Sequence, residues 1–316
     1  MTTRRVVVTG ASGFVGRPAV AALLARGFEV HAIGRNPTGL PDGVATHGGD
    51  LLDPDPVGIT RLLDEIRPNH MLHLAWDVTP GRFWHAPENL DWVAASLRLY
   101  RAFAASGGTR LVAAGTCAEY DWTTDLLDET TTPIRPGTLY GTAKDALHRV
   151  LAAAAIQDSV SMAWGRLFFI YGPREASNRL VPDVAQALLC GEPALCGPGT
   201  AERDFMHVAD VGGALAATLD SAYAGPVNIA TGVCVPIRVV VEALADLVGR
   251  PDLVRLGARP APKDEPPRLA ASVAVLREGI GFIPRFALAD GLAHTLAWWR
   301  EQLQRSILGG SNLTVS

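Results

Sequence analysis

A glycine-rich turn close to the start of the chain constrains the fold more than any other feature. The run Val6-Val7-Val8 is typical of a short buried strand, and Gly10, Gly13 and Gly16 follow it. Residues 19–24 then carry apolar side chains at helical spacing. A strand, a glycine turn and a helix present backbone N–H groups and a positive helix end to a pyrophosphate. This stretch therefore predicts a dinucleotide site at the first turn of an α/β fold.

Short apolar segments alternate with helical patterns along the next 150 residues or so. The predicted strands are residues 29–33, 44–47, 70–75, 110–114 and 162–169, and the predicted helices are residues 55–67, 88–106 and 136–157. This alternation is typical of a doubly wound parallel sheet. We predict a Rossmann-type dinucleotide-binding domain over residues 1–168 and a smaller substrate-binding domain over residues 169–316. A segment near 203–222 is expected to return to the first domain.

The composition excludes several other classes of protein. With 316 residues, a formal net charge of −4 and a pI near 6.1, the chain is not expected to bind nucleic acid or an anionic membrane. A membrane span needs about 18 consecutive apolar residues, and neither such a run nor a signal peptide is recognisable. The four cysteines lack metal-ligand spacing, so we expect reduced thiols and no metal. A cytoplasmic globular protein is predicted.

The end of the second predicted strand bears on the choice of cofactor. An acidic residue at this place would hold the adenosine ribose of NAD, whereas an arginine would hold the 2′-phosphate of NADP. Gly34 and Arg35 stand there, without a carboxylate. Arg35 as an ordinary surface residue is the alternative. We therefore expect NADP, with NAD possible.

A tyrosine and a lysine four residues apart are the leading candidates for catalysis. Tyr140 and Lys144 fall in the predicted helix 136–157, where this spacing puts both side chains on one face. Tyrosine ionises near pH 10, and a neighbouring ammonium favours the phenolate, which makes the tyrosine a usable proton donor and acceptor. Thr116 follows the fifth predicted strand, where chemistry concentrates in such sheets. A capping role is the alternative for this threonine.

In combination, these motifs resemble those of the extended short-chain dehydrogenases/reductases that act on nucleotide sugars, the epimerase/dehydratase group. The resemblance covers nearly the whole chain. The matching motifs are the turn at residues 9–16, Gly49-Asp50-Leu51, His73-Leu74-Ala75, Thr116, the Tyr140/Lys144 pair, Tyr171-Gly172-Pro173, Arg203-Asp204-Phe205 and Asn228-Ile229.

The resemblance implies roles for the matching residues. Tyr140 would exchange a proton with a sugar hydroxyl or ketone, Thr116 would hydrogen-bond the same oxygen, and Lys144 would hold the nicotinamide ribose. Arg203 would bind the pyrophosphate of a sugar nucleotide, for which a guanidinium is well shaped. Cys117 and Arg259 are further expected substrate contacts. The residues expected to bind the cofactor are Gly10, Ser12, Gly13, Phe14, Val15, Gly16, Arg35, Asp50, Leu51, Ala75, Tyr140 and Lys144.

Departures from the family pattern narrow the expected reaction. Family dehydratases carry an Asp-Glu pair directly after the threonine, where this chain has Cys117 and Ala118, which cannot act as acid and base. Members that epimerise beside the ketone use a cysteine two residues before a tyrosine, and Cys117 stands three before Tyr120. Many members also have asparagine where Phe169 stands, and that asparagine contacts the phosphates of the sugar nucleotide. Phenylalanine cannot make this hydrogen bond, so either the pose or the identity of the substrate is expected to differ.

The function expected from the sequence is reduction of the 4-keto group of a nucleotide-activated deoxysugar by an NAD(P)-dependent oxidoreductase. A nucleotide-sugar 4-epimerase of the same family is the main alternative. A reductase of a small aldehyde or ketone and a non-catalytic dinucleotide-sensing protein remain open, although the latter would not need the Tyr140/Lys144 pair. By analogy with the family, helices 88–106 and 136–157 are expected to form a homodimer contact.

Overall fold

The chain folds into two compact units, each assembled from several stretches of sequence. The structure, a computed structural model, describes residues 3–53, 57–261 and 265–309. The first unit comprises Met1–Leu167, Val211–Ile229 and Ser272–Ile283, and the second comprises Phe168–Asp210, Ala230–Ala271 and Pro284–Ser316. No helix among the described residues is long and apolar enough to span a membrane.

A parallel sheet of seven strands forms the centre of the first unit. Its strands are β1 (Arg5–Thr9), β2 (Glu29–Gly34), β3 (Val44–Gly48), β4 (His70–His73), β5 (Arg110–Thr116), β7 (Ser161–Leu167) and β11 (Gly225–Ile229), and the short β6 (Leu126–Leu127) lies outside it. Across the sheet the order is β11-β7-β5-β4-β1-β2-β3. The predicted doubly wound parallel sheet is thereby confirmed.

Helices cover the sheet of the first unit and bury its core. They are α1 (Gly16–Ala25), α2 (Val57–Ile66), α3 (Glu88–Ala105), α4 (Leu139–Gln157) and α6 (Val208–Asp220), of which residues from 211 onward belong to this unit. Leu63, Phe103, Leu147 and Trp164 are fully buried between helices and sheet. Burying a side chain of this size stabilises the fold by about 1.5–3 kcal/mol. The predicted helices agree with this arrangement, although the start of the helix predicted over 55–67 lies partly outside the described residues.

Burial explains why some strands were easier to predict than others. The strand β1 is central, and its residues Val6, Val7 and Val8 are fully buried, which requires a continuous apolar run. The strand β3 lies at the sheet edge, where Ala45 and Thr46 are exposed. An edge strand has fewer neighbours to pack against, so its sequence pattern is weak.

The second unit contains a smaller mixed sheet. The strands of this sheet that belong to the second unit are β8 (Phe169–Tyr171), β10 (Glu202–His207), β12 (Cys234–Pro236) and β14 (Arg268–Ala271). A separate pair of strands consists of β9 (Ala194–Leu195) and β13 (Val254–Arg255), and the helices of the unit are α5 (Leu180–Leu189), α7 (Ile237–Val248) and α8 (Leu288–Gly309). The strand β10 pairs in parallel with β8 and β14 and antiparallel with β12. Val184, Leu244, Leu296 and Trp299 belong to the core that the three helices enclose.

One predicted strand was wrong in its extent. The apolar segment 162–169 is not one strand, because β7 ends at Leu167 and β8 begins at Phe169. The second piece pairs with β10, with Phe169 opposite Phe205. A continuous apolar run does not reveal that its two ends pair with different partners, since both ends are buried by the same kinds of side chain.

The register of the parallel strands gathers several loops at one edge of the sheet. Thr9 at the end of β1 pairs with Ile33 of β2 and with His73 of β4. The chain leaves β1 and β4 in opposite directions across the sheet, which makes this the point where the strand order reverses. Ligands in doubly wound sheets bind at this point, outside the carboxyl ends of the strands.

Candidate active site

The glycine turn connects the carboxyl end of β1 with the start of α1. The N–H of Gly13 donates to the carbonyl of Gly10 at 3.1 Å. A Cβ on Gly16 would lie 2.0 Å from that same carbonyl oxygen, so only glycine allows the helix to approach the turn this closely. No side chain caps α1 at Val15. This cradle fits a dinucleotide phosphate, which needs backbone N–H groups and a helix N-terminus without intervening side chains.

The predicted adenosine contacts follow β2 and β3 at the same edge. Gly34 pairs with Gly48, and the N–H of Gly49 donates to the carbonyl of Gly34 at 3.1 Å. Arg35 and Asp50, which come next in the two chain segments, are exposed. Arg35 and Asp50 are 15 positions apart in the sequence. Because Gly34 pairs with Gly48, both residues follow neighbouring strands at the same edge of the sheet.

A buried histidine fixes the loop after β4, which contains the predicted cofactor contact Ala75. The Ser96 hydroxyl donates to the carbonyl of Trp92 at 2.7 Å, so its oxygen accepts from Nε2–H of His73 at 2.8 Å. Nδ1 of His73 then accepts from the Thr9 hydroxyl at 2.7 Å. The Thr9 oxygen in turn accepts the N–H of Ala75 at 3.3 Å. Burial lowers the pKa of His73 to about 3, which agrees with this neutral tautomer.

Tyr140 and Lys144 lie on the buried face of α4, one turn apart. The helix begins after Thr138, whose hydroxyl accepts the N–H of Gly141 at 3.1 Å, so it starts three residues later than predicted. Nζ of Lys144 donates to the carbonyl of Ala114 in β5 at 2.9 Å and lies 3.8 Å from the centre of the Trp76 ring. These contacts orient the lysine towards the carboxyl half of β5, near Thr116.

Burial also governs the charge of Lys144. The side chain is almost completely enclosed, and this desolvation lowers its pKa to about 7, against an opposing effect of the Glu119 carboxylate. The cation–π contact with Trp76 and the carbonyl of Ala114 both favour the ammonium form. A lysine with this pKa is poised to change its protonation state near neutral pH.

Thr116 has the capping role that was the alternative in the sequence, and this role leaves its hydroxyl hydrogen available. Its hydroxyl oxygen accepts the N–H of Ala118 at 3.2 Å and so caps the short turn Cys117–Glu119. A hydroxyl that accepts one bond can still donate its own hydrogen. The turn packs directly against α4, because a Cβ on Gly141 would lie 2.4 Å from the carbonyl oxygen of Ala118. Strand end and helix are therefore held in one fixed geometry.

Aromatic side chains surround Tyr140, and the sequence did not reveal them. The ring of Phe83 meets the phenol edge-on at a centroid distance of 4.9 Å, with Trp84 at 5.9 Å and Trp76 at 6.4 Å. The N–H of Tyr140 donates to the carbonyl of Trp84 at 3.1 Å, which pins this loop to the helix. Trp122 contacts Trp84, and its indole donates to the carbonyl of Cys117 at 2.8 Å. The loop of residues 74–87 lacks periodicity, so only folding shows where its rings lie.

A buried charge network beneath Thr116 was also missed. Glu119 and Arg166 form an ion pair of 2.8 Å with almost no solvent exposure, and Trp164 donates to the same carboxylate. An arginine within the otherwise apolar strand β7 is the sequence signal that could have pointed to a buried partner.

The predicted substrate residues Arg203 and Arg259 lie in the second unit. Arg203 is buried, pairs with Glu265 at 3.0 Å and lies 5.3 Å from the Phe169 ring. Arg259 is exposed and lies 3.8 Å from the Asp183 carboxylate. Phe169, the departure noted in the sequence, thus contacts the arginine expected to bind phosphate.

The described residues contain no cluster of three or more side chains that could hold a metal ion. All four cysteines are free thiols, and Cys117 is buried beside Thr116. The side chains at this edge of the sheet include the hydroxyl of Thr116, the thiol of Cys117, the phenol of Tyr140 and the amine of Lys144.

Known proteins match this chain in sequence and in fold. A model of the NAD dependent epimerase/dehydratase family matches residues 6–230. A dTDP-6-deoxy-L-talose 4-dehydrogenase (NAD(P)(+)) of Kitasatospora kifunensis is 30% identical, with 91% of this chain and 93% of the relative covered. A UDP-glucose 4-epimerase of Mycolicibacterium smegmatis is 28% identical over 95% of this chain and 100% of the relative. Among solved structures, MoeE5 in complex with UDP-glucose and NAD is 32% identical, with a TM-score of 0.80 over 95% of this chain and 99% of that chain.

Proposed function

Because the chain belongs to the NAD-dependent epimerase/dehydratase family of extended short-chain dehydrogenases/reductases, we propose that it reduces the 4-keto group of a nucleotide-activated deoxysugar. The observation that carries this proposal is the arrangement of Tyr140, Lys144 and Thr116 at the carboxyl edge of the sheet. Cys117 and Ala118, beside Thr116, supply no acid or base for dehydration. The similarity to a dTDP-6-deoxy-L-talose 4-dehydrogenase supports chemistry at C4 of a deoxysugar.

Each residue of the site has its own role in the proposed reduction. The glycine turn at residues 10–16, Arg35 and Lys144 would hold NADPH, which when bound would supply the hydride for the carbonyl carbon. Tyr140 donates its phenolic proton to the carbonyl oxygen, which becomes the hydroxyl, and recovers a proton from solvent after the reaction. Thr116 donates a hydrogen bond to the same oxygen and so stabilises the charge that develops there. Lys144, as the ammonium, holds the nicotinamide ribose and favours the phenolate that Tyr140 becomes.

NADP is the proposed cofactor because of Arg35. It directly follows β2, it is exposed, and it belongs to the edge of the sheet where the adenosine half would lie. A guanidinium there matches the doubly charged 2′-phosphate. NAD remains the alternative, and the MoeE5 complex is one with NAD.

For the substrate we propose a nucleoside-diphosphate sugar whose diphosphate is bound by Arg203. The buried guanidinium is held by Glu265, and an incoming diphosphate would replace this carboxylate with a ligand of the same sign. Arg259, which is exposed and only loosely paired, is a second proposed contact, and Cys117 would line the sugar site.

A 4-epimerase is the second candidate, supported by the 28% identity to a UDP-glucose 4-epimerase over its full length. An epimerase removes hydride from C4 and returns it to the same sugar, so it profits from keeping its cofactor bound. A reductase consumes one NADPH for each product and must exchange the cofactor every turnover.

The assay that separates these candidates starts from purified protein and a nucleotide-linked 4-keto-6-deoxyhexose. We expect stoichiometric loss of NADPH absorbance and little cofactor retained during purification. Tyr140→Phe should lower turnover roughly 10²-fold or more while leaving NADPH affinity nearly unchanged. Conversion of a 4-hydroxy sugar nucleotide to its 4-epimer by protein with retained NAD⁺ would replace the reductase with the epimerase.

We also propose that the protein is a homodimer that pairs through α3 and α4. Along the outer face of α4, Ala146, Val150, Ala153 and Ile156 are all exposed, which leaves an apolar stripe facing outward. Such a stripe suits isologous contact with a second copy. The molar mass in solution, measured by light scattering, tests this. The cytoplasmic location stays a prediction from the sequence.

A further inference from the structure

The Glu119 carboxylate lies under the proposed catalytic threonine with all its contacts made by donors. The N–H of Thr116 donates to Oε1 at 2.8 Å, and the Trp164 indole donates to both oxygens at 3.0 and 3.1 Å. Nε of Arg166 donates to Oε2 at 2.8 Å. Burial raises the pKa of Glu119, and the ion pair with Arg166 and these N–H donors oppose that effect. Because each of these partners is a donor, the contacts stabilise the ionised form of the carboxylate.

Arg166 extends the network across three strands. Its Nη1 donates to the Tyr120 hydroxyl at 2.9 Å, and this hydroxyl donates to Oδ1 of Asn228 at 2.8 Å. The Asn228 amide donates in turn to the carbonyl of Leu127 at 2.9 Å. The ends of β5, β7 and β11 are thereby joined by side-chain hydrogen bonds. Hydrogen bonds buried in this way hold the side chains that they join in place.

The backbone leaves room for this carboxylate at one position. A Cβ on Gly115 would lie 2.6 Å from Oε1 of Glu119 and 2.1 Å from the Trp164 indole nitrogen. Glycine therefore allows the Glu119 side chain to fold back beneath its own strand and reach the N–H of Thr116.

Stability alone is a poor reason for such a pair. Moving two charges out of water costs several kcal/mol, and apolar replacements of buried ion pairs are often neutral or stabilising. What an apolar pair could not do is hold the N–H of Thr116 or place a negative charge near Lys144. The titratable groups around that lysine are Glu119 after β5, the neutral His73 on β4 and Tyr140 on α4, and of these the carboxylate favours the ammonium.

We propose that Glu119 is a positioning residue for the proposed reduction. Paired with Arg166, it fixes the backbone of Thr116 so that the hydroxyl meets the carbonyl oxygen, and its negative charge keeps Lys144 as the ammonium. The first part rests on the proposed function, whereas the second concerns cofactor binding and applies to any reaction at this site.

The test uses Glu119→Gln, which keeps the shape and the acceptor for Thr116 but removes the charge. Because this change leaves Arg166 buried without a counter-charge, the double variant Glu119→Gln/Arg166→Met is measured beside it. Asp210→Asn is the matched control, since Asp210 is also buried, pairs with an arginine, Arg285 at 3.6 Å, and accepts backbone N–H groups, those of Arg285 and Phe286. NADPH affinity and kcat are recorded from pH 6 to pH 10, each as a full profile.

In Glu119→Gln, we expect the alkaline loss of NADPH affinity to begin at a pH lower by about 1 unit, because the ammonium has lost a nearby negative charge. The double variant has also lost the positive charge of Arg166, so its shift should have the same direction and be smaller. We also expect kcat to fall about tenfold or more with a smaller change in KM, since a misplaced hydroxyl affects the transition state. Asp210→Asn should leave both profiles in place. A folded double variant whose two profiles coincide with those of the parent would show that Glu119 is only structural.

Failure of the proposed function has a different signature. If the parent protein reduces no 4-keto sugar but the Glu119 variants still shift the pH profile of NADPH binding, the charge effect stands and the assigned reaction falls.

Discussion

Lys144 illustrates how burial sets the chemistry of a single residue in this protein. The spacing from Tyr140 predicted that both side chains share one helix face, and the structure buries both, with Ala114 and Trp76 as neighbours of Lys144. Enclosure lowers its pKa to about 7, so charge at this position depends on the groups around it. The interaction of Glu119 with this lysine therefore has a larger functional consequence than it would at the surface.

The proposed preference for NADPH over NADH can be tested by substitution of the single residue Arg35. Arg35→Ala should weaken NADPH binding about ten- to a hundredfold, because a charge-assisted contact to a phosphate contributes about 1.5–3 kcal/mol. Isothermal titration of the parent and the variant measures this directly. NADH, which has no 2′-phosphate, provides the internal control, and its affinity should be the same for both proteins. Equal affinity of the parent protein for NADPH and NADH would return Arg35 to the role of a surface residue.

At the scale of elements, the site depends on close contact between the end of β5 and the first turn of α4. Thr116 and Cys117–Glu119 form the turn, and Gly141 is the helical residue against which the Ala118 carbonyl rests. The helix contributes the phenol and the amine, and the strand contributes the hydroxyl. The distance between the helix and the turn is set by Gly141, which has no Cβ to keep the Ala118 carbonyl away.

Gly141→Ala should therefore reduce activity although alanine favours helices. The added Cβ would lie 2.4 Å from the Ala118 carbonyl oxygen and must push α4 away from the turn. Displacements of this size near reacting groups cost about 10- to 100-fold in kcat, which steady-state kinetics would detect. Gly137→Ala is the control, because a Cβ there has nothing within 4 Å. Unchanged kcat in Gly141→Ala would mean that the turn and the helix can move apart without consequence.

For the molecule as a whole, neutral buried histidines link stability to pH. Burial lowers the pKa of His73 to about 3 and the pKa values of His148 and His207 to about 4. The unfolded chain binds protons at these positions below about pH 6.5, whereas the folded chain does not. Each of them therefore contributes stability that is present above pH 6.5 and is lost as the pH falls towards the folded pKa.

The variant His73→Gln isolates one of these contributions. Between pH 7.5 and pH 5, we expect the parent to lose up to about 2 kcal/mol more of its free energy of unfolding than the variant loses. Urea unfolding at the two pH values measures the difference, and the remaining histidines cancel in the comparison. An equal loss in both proteins would mean that His73 accepts a proton in the folded state.

The sequence by itself determined the fold class, the order of the main strands and helices over residues 1–168, and the family. Those conclusions follow from short-range patterns, each of which lies within a short stretch of sequence. They are the buried run of β1, the glycine turn, and the four-residue spacing of Tyr140 and Lys144. The strand predicted over 162–169 was wrong because pairing partners are not encoded locally.

Only the tertiary structure decided which distant residues meet at the site. Glu119 and Arg166 are 47 residues apart in sequence, and Trp84 reaches Tyr140 from a loop without periodicity. Such contacts depend on the register between β5 and β7, where Gly115 pairs with Arg166, and on the path of a loop across the sheet edge. A buried charge is tolerated only where its partners converge in space, and this convergence is a property of the folded chain rather than of any stretch within it.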